Sequence, residues 1–215
     1  MRVRRALSYA VDRQSVIDGA SNGLGTPIGS HYAPTDPGYV DLTGMYPYDP
    51  AKAQALLAEA GMRTPLEVTL KLPPPPYARQ AGEIIAAELA QVGIDTRIEN
   101  VEWAQWLDGV YKNKNYDLTV ISHVEPRDLA IYANPDYYFQ YRSPAFQEIY
   151  HKLSTTADEG QRLELLRQAQ RQIAEDAVNV FLYLLPQVTV AKKGLVGLWR
   201  DSPIFANDLA ALRWE

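Results

Sequence analysis

The fold is decided by residues 66–101, which read LEVTLKLPPPPYARQAGEIIAAELAQVGIDTRIENV. Apolar and polar residues alternate over 66–72, which is the pattern of a half-buried strand. Four prolines end that strand, and apolar residues at helical spacing over 81–92 predict a helix that ends at Gly93. Alternation resumes over 94–101 and predicts a second strand. This order predicts two parallel strands joined by a right-handed crossover.

Elements of both kinds continue downstream of this unit. They are, in chain order, a short helix at 103–110, a third strand at 118–121, helices at 146–153 and 163–173, and strands at 178–184, 188–190 and 196–199. The third strand reads LTVI and is apolar enough to be buried on both faces. The predicted fold class is therefore α/β, with a mostly parallel sheet and flanking helices.

Upstream of the unit, helices and a long loop are predicted. Apolar spacing indicates a helix from Val3, and Asp12 begins a second one. Nine glycines and prolines punctuate residues 21–48, which predicts a long surface loop, and its tyrosines favour an ordered one. Asp49 then suits an N-cap, and Gly61 suits the position just past the end of a helix.

Composition excludes several classes of protein. The 215 residues carry a net charge of −5 and no cysteine, so disulfides, zinc–thiolate sites and iron–sulfur clusters are excluded. Neither half of the chain has an excess of basic residues, which argues against nucleic acid as a partner. The apolar run after Arg5 stops at Asp12 and is too short for the core of an export signal, so we expect none in the chain.

Motifs for metal, nucleotide or covalent chemistry do not emerge from the sequence. His31, His123 and His151 lack the spacing of metal ligands, and neither a metal nor another cofactor is expected. Ser122 and His123 are adjacent residues that leave a strand on opposite faces, so they do not form a nucleophile–base pair. Glycine-rich phosphate-binding motifs are also missing.

The most informative segment is 122–142, because it follows the carboxyl end of a predicted parallel strand, where open α/β sheets place ligands. Charged groups of both signs could there meet the ammonium and carboxylate of a zwitterion, beside a broad aromatic surface. The candidate ligand-binding residues are Glu125, Arg127, Asp128, His123, Tyr132, Tyr137 and Tyr138. An alternative stays open, in which the tyrosines cover a sheet edge and the charges are simply solvated.

Several segments together resemble the large solute-binding proteins of bacterial ABC importers for oligopeptides, dipeptides and nickel. The segment VRRALSYAVDR at 3–13 is similar to that family's mid-chain "vR.Als.aiDr" helix, and 23–34 resembles the loop that follows it. Tyr48-Asp49-Pro50 with the apolar face up to Gly61 resembles "yDp.kAk.LL.eaG". Glu102-Trp103 and Tyr116-Asp117 together resemble "ew..y…..g.yD", and the four resemblances follow one another in the family's order.

The resemblance implies a two-lobed periplasmic protein that captures a peptide or related solute in a cleft and delivers it to membrane permease subunits, without catalysis. Residues 1–215 would be its C-terminal lobe, with the N-terminal lobe and the final returning strand absent, and the intact parent would be monomeric. In the family an acidic residue after a "GW…D" pattern receives the peptide's α-ammonium. Here the pattern reads SHVEPRD at 122–128, without the Gly and Trp, so dipeptides, longer peptides, opines and sugars remain open as ligands.

Two functions of other classes are also open at this stage. One is a hydrolase domain with Glu125 or Asp128 as acid and base. The other is an interaction domain that displays Pro73–Pro76 as a polyproline II ligand, although a stiff link between strand and helix explains the four prolines better.

Overall fold

The computed structural model describes residues 1–124, 127–199 and 208–215. Its helices and strands, in chain order, are α1 (Arg2–Ala10), α2 (Arg13–Ser21), β1 (Thr26–Pro27), α3 (Pro50–Glu59), β2 (Leu66–Leu72), α4 (Pro76–Gln91), β3 (Ile94–Asn100), α5 (Trp103–Trp106), β4 (Leu118–Thr119), α6 (Ala130–Ala133), α7 (Pro144–Thr155), α8 (Glu159–Glu175), β5 (Tyr183–Leu184), β6 (Leu195–Val196) and β7 (Arg213–Trp214). A π-helical turn, Leu107–Lys112, continues α5, and a 3₁₀ turn, Leu209–Ala211, precedes β7.

The predicted strand–helix–strand unit is confirmed as the centre of a three-stranded parallel sheet of order β3-β2-β4. β2 and β3 pair along their whole length, with Leu70 opposite Ile98. α4 forms the crossover, with Pro75 as its N-cap and Pro76 in its first turn, so the proline run serves as the link between strand and helix. Gly93 follows α4 in the left-handed region, with φ 84°.

The third strand differs from its prediction. β4 pairs with β2 only at Leu118 and Thr119, and both residues are half-buried rather than buried. β4 lies at one end of the described order β3-β2-β4, so it has one hydrogen-bonded neighbour where β2 has two. Burial on both faces is therefore not achieved at these two residues.

The predicted helices on the upstream side are confirmed, and their ends have identifiable causes. Asp12 accepts a hydrogen bond from the Gln14 amide (3.0 Å) and caps α2, which runs on to Ser21. Asp49 accepts one from the Lys52 amide (2.8 Å) and caps α3. Gly61 follows α3 with φ 69°, as the sequence predicts.

Three apolar clusters hold the described chain together. The first cluster packs α1–α4 against the sheet, around Leu57, Leu70, Leu72, Leu89 and Ile94. The second cluster packs α7 and α8 against aromatic residues, including Tyr32, Tyr132, Tyr141, Phe146 and Ile173. The third cluster is small and contains Trp106, Val110 and Tyr138.

The long loop between α2 and α3 is ordered by its tyrosines, as predicted. Tyr32 is 2% exposed and lies in the second cluster, and Tyr46 donates a hydrogen bond to the Ala174 carbonyl (3.0 Å) at the end of α8. Ser30 and Gln170 are fully buried and bond to each other (3.0 Å), while Gln170 donates to the Gly38 carbonyl (2.8 Å). The loop is therefore fixed against α8 along much of its length.

The strand predictions near the C-terminus are only partly right. Of residues 178–184, only Tyr183 and Leu184 form a strand, β5, antiparallel to β1. Of the predicted strand at 196–199, only Val196 lies in a strand, β6, which begins at Leu195 and pairs with β7. The prediction at 188–190 is wrong: these residues form no strand, and Val188 and Val190 are 65% and 92% exposed.

A buried carboxyl group on α4, that of Glu88, gives a test of the fold by pH. Glu88 on α4 is 7% exposed and accepts a hydrogen bond from the Asp12 amide (3.0 Å). Burial raises the pKa of Glu88 to about 7 from its ordinary 4.5, and the nearby Asp12 carboxylate raises this pKa as well. The hydrogen bond from the Asp12 amide lowers the pKa and so offsets part of the rise. The folded state therefore holds its proton to a higher pH than the unfolded state does, so stability falls as pH rises from about 4.5 to about 7.

We expect Glu88→Gln to remove this pH dependence. Glutamine keeps the acceptor for the Asp12 amide and carries no charge, so the variant should be more stable than wild type by about 2 kcal/mol at pH 8 and equal to it near pH 4. Urea titrations at both pH values measure this. Glu83→Gln, on the exposed side of the same helix, is the control. Parallel pH profiles for wild type and Glu88→Gln would contradict the assignment.

Candidate functional site

The three parallel strands end at one edge of the sheet, and the segments that follow them meet there. Trp106, just after β3, donates its indole N–H to the Thr119 hydroxyl (3.0 Å) of β4, and that hydroxyl donates to the Lys71 carbonyl (2.7 Å) of β2. The Ser122 amide donates to the Tyr77 hydroxyl (2.9 Å) at the start of α4. This carboxyl edge is where open α/β sheets bind ligands.

His123 leaves this edge and joins the aromatic residues of the predicted segment. Its Nε2 shares a hydrogen bond with the Tyr138 hydroxyl (2.7 Å), and the planes of the two rings are nearly parallel, at 3°. The rings of Tyr137 and Phe139 lie 6.4 Å and 5.6 Å from the imidazole, between centroids. The structure thus brings three of the predicted residues, His123, Tyr137 and Tyr138, into one cluster.

Tyr138 is the buried member of that cluster, with 2% of its area exposed. Trp106 packs edge-on against it, with centroids 5.7 Å apart, and the Tyr116 hydroxyl donates to its carbonyl (2.8 Å). Burial raises the pKa of Tyr116 to about 12, so this hydroxyl stays protonated as a donor. Tyr138 is therefore the buried centre of the cluster, while the half-buried Tyr137 is the part of it that contacts solvent.

An open groove of about 380 Å³ borders the cluster on the side of the π-helical turn. Tyr111, Tyr137 and Leu107 supply its apolar surface. Lys112 and Lys114 stand among its polar residues, together with Asn134 and Asp136. Both signs of charge thus border an aromatic surface, but these charges are not those of Arg127 and Asp128, which the sequence predicts as ligand-binding residues.

Tyr132 lies in the second apolar cluster and contacts the His123 cluster through Phe139, with ring centroids 5.2 Å apart. It is 1% exposed, and its hydroxyl accepts a hydrogen bond from Asn179 (2.8 Å) and lies 3.3 Å from His31 Nδ1. Burial raises the pKa of Tyr132 strongly. This placement favours a structural contribution to the site over a direct ligand contact.

Arg127 and Asp128 follow the cluster along the chain, and each has a partner within the protein. Arg127 donates from Nε to Asp36 Oδ1 (3.0 Å), and its side chain is 58% exposed. Asp128 is half-buried and accepts a hydrogen bond from the Ala130 amide (3.0 Å) at the start of α6. Glu125, the predicted receptor for a ligand ammonium, lies outside the described residues.

Sequence reasoning missed Asp36, Trp106 and Tyr111 as neighbours of the site. Asp36 is 91 residues from Arg127, so no local pattern connects the two. Trp106 lies in the predicted helix 103–110 and Tyr111 directly follows that range, so the apolar character of this short stretch was the available signal. Their rings reach Tyr138 at 5.7 Å each.

Two features are absent from the described residues. No three His, Asp or Glu side chains there are grouped as ligands for a metal ion. No helix there combines the length and apolarity that crossing a membrane requires.

Comparisons with known proteins point to one family. Residues 1–141 match the family model described as bacterial extracellular solute-binding proteins, family 5 Middle. The dipeptide-binding protein of Escherichia coli (strain K12) is 30% identical over 191 residues, which cover 79% of this chain and 35% of that protein.

Solved structures agree with the fold. AgaA from A. tumefaciens R10, in complex with agropinic acid, superposes with a TM-score of 0.77 and 27% identity over 92% of this chain and 43% of its own. A dipeptide-binding protein from Pseudoalteromonas sp. SM9913, in complex with Met-Leu, has a TM-score of 0.83 over 100% of this chain and 45% of its own, with 21% identity. These matches confirm the predicted α/β periplasmic-binding-protein fold, and the chain spans less than half the length of these relatives.

Proposed function

The chain belongs to the family 5 bacterial extracellular solute-binding proteins, and from that premise we propose that residues 1–215 form the C-terminal lobe of a two-lobed binding protein. A ligand held between the lobes shifts an open–closed equilibrium by hinge closure. The closed form then delivers it to the permease subunits of an ABC importer. The family description is extracellular, and we propose the periplasm as the location and a monomer as the intact state.

The observation that carries this proposal is the cluster at the carboxyl edge of the sheet. His123, Tyr137 and Tyr138 meet there beside an open groove, and Arg127 and Asp128 follow within a few residues. The aromatic rings offer an amphipathic surface for a side chain, and the charges offer partners for the ends of a zwitterion.

The proposed ligand is a peptide or a related small solute that carries an ammonium and a carboxylate. A relative named for dipeptides and a structure solved with agropinic acid support this class of ligand. They do not decide between a peptide and another zwitterionic solute. Glu125 is the proposed receptor for the ammonium and Asp128 the second acid, whereas Arg127 meets the carboxylate. Tyr132 is buried, and its proposed role is to pack beneath segment 122–142 rather than to contact the ligand.

The alternatives have less support. The family is one of solute-binding rather than catalytic proteins, so a hydrolase with Glu125 or Asp128 as acid and base is not retained. Pro73 is buried, and Pro75 and Pro76 begin α4, so the proline run has a structural explanation without an external partner.

Equilibrium dialysis of the two-lobed protein against dipeptide pools, beside an assay for peptide hydrolysis, tests the proposed function. We expect binding of peptides that are recovered intact. Hydrolysis of the pool, or the absence of any retained peptide, would contradict the proposal.

Glu125→Gln in the two-lobed protein is expected to lower the affinity for a peptide with a free amino group about ten- to a hundredfold, because a charge-assisted hydrogen bond is lost. Calorimetry with Met-Leu and N-acetyl-Met-Leu measures this, and the acetylated peptide should show no such loss. Glu148→Gln, a side chain 69% exposed on α7, is the control. Lower thermal stability with intact binding would instead indicate a structural role for Glu125.

A further inference from the structure

Residues 32–36 hold Arg127 by both its backbone and its side chain. The Tyr32 hydroxyl donates to the Arg127 carbonyl (3.3 Å), and Arg127 Nε donates to Asp36 Oδ1 (3.0 Å). These are contacts across more than 90 residues of sequence, from the long loop to the segment that follows β4.

Arg127 also has an unusual backbone conformation that these contacts maintain. Its φ is 65°, in the left-handed region that a residue with a long side chain seldom adopts. Such conformations persist where the surrounding structure over-determines them, and they occur preferentially at functional sites. The bonds from Tyr32 and Asp36 act here together with a local bond, which the Leu129 amide donates to the Arg127 carbonyl (3.0 Å).

Tyr32 and the Asp36 side chain are buried, whereas the Arg127 side chain that residues 32–36 contact is exposed to solvent. The Asp36 side chain is 9% exposed, and its second oxygen, Oδ2, accepts a hydrogen bond from the Ala33 amide (2.9 Å). Tyr32 is 2% exposed, and its ring packs in the second apolar cluster. The Arg127 side chain, by contrast, is 58% exposed. A fixed carboxylate thus directs a guanidinium outward from the protein.

We propose that Asp36, assisted by Tyr32, is a positioning residue that presents Arg127 to the carboxylate of the ligand. This inference rests on the proposed function. A guanidinium has five N–H donors in a rigid fork, so one bond to Asp36 orients the plane while other donors serve a ligand carboxylate. Recognition by such a fork depends on its orientation, and a long side chain that is already ordered loses less entropy on binding.

The opposite effect of Asp36 is physically possible and gives a clear contrast. If Asp36 acted as a competitor for Arg127, its removal would free the guanidinium and strengthen carboxylate binding. If Asp36 acts as a positioning residue, its removal leaves the Arg127 side chain without a fixed orientation and weakens the binding of the ligand carboxylate. The sign of the change in affinity therefore separates the two roles.

Calorimetry on the two-lobed protein with Met-Leu and with Met-Leu amide tests the inference. Asp36→Ala should lower the affinity for Met-Leu about tenfold, and Asp36→Asn, which keeps an oxygen acceptor for Nε, should lower it about threefold. Tyr32→Phe, which removes only the bond to the Arg127 carbonyl, should also weaken it. None of the three should change the affinity for the amide, and Asp36→Ala should add nothing in an Arg127→Gln background.

Asp41→Ala is the matched control, because Asp41 is an exposed acid of the same loop that bonds to Thr43 rather than to Arg127. Unchanged or stronger Met-Leu binding by Asp36→Ala, or an equal loss for the amide, would overturn the inference while leaving the proposed function standing. Failure of wild-type protein to bind Met-Leu or any peptide of the pool would contradict the proposed function, and the inference with it.

Discussion

Arg13→Ala is expected to lower the free energy of unfolding by about 3 kcal/mol, because it removes three hydrogen bonds from a charged donor and leaves their acceptors behind. Arg13 Nε donates to the Phe181 carbonyl (2.7 Å), and Nη1 donates to the carbonyls of Thr43 and Tyr46 (3.2 Å each). One side chain at the start of α2 thus joins the long loop to the segment that leads into β5. Burial lowers the pKa of Arg13 without removing its charge at neutral pH.

Urea titration of the variant beside wild type measures the effect. Arg13→Lys should recover only part of the loss, since a single ammonium cannot meet three carbonyls with the geometry of a guanidinium. Arg2→Ala is the control: Arg2 is 65% exposed and pairs with Glu59 at 3.8 Å, a surface contact worth about 0.5 kcal/mol. An Arg13→Ala variant within about 0.5 kcal/mol of wild type would show that the three bonds contribute little.

The parts of the fold that could be predicted are those with local causes. Alternation in 66–72 and 94–100, the proline run and Gly93 each act within a few residues of themselves, and each is where the sequence predicts it. The same reasoning fails at 188–190, because valines favour a strand but a strand also needs a partner. β5, which ends four residues before Val188, is paired with β1, more than 150 residues away in the sequence.

The residues of the candidate site also differ in how far they could be predicted, according to whether their partners are near or far in the sequence. His123 and Tyr137–Tyr138 are close in sequence, so a segment chosen by its composition and by its place after β4 contained the cluster. The partner of Arg127 lies in the long loop, and only the tertiary structure brings Asp36 to it. Tyr132 shows the converse limit, since composition alone does not separate a tyrosine that faces solvent from one that is 1% exposed.

The last prediction concerns the chain without the remainder of the proposed two-lobed protein. On the proposed function the ligand contacts both walls of a cleft, and residues 1–215 supply one of them. Removal of one wall should cost about 3 kcal/mol or more, which corresponds to at least a hundredfold weaker binding. We therefore expect Met-Leu to bind the isolated 215-residue chain at least a hundredfold more weakly than the two-lobed protein.

Calorimetry of both proteins with Met-Leu measures this difference, and a cooperative urea transition shows that the isolated chain is folded during the experiment. The three apolar clusters lie within the described chain, so we expect that transition to be present. Micromolar or tighter binding by the folded chain alone would contradict the two-lobed mechanism, because the site at the carboxyl edge of the sheet would then be sufficient without a facing lobe. Weak binding by the folded chain, restored in the longer protein, is the result that a cleft between two lobes requires.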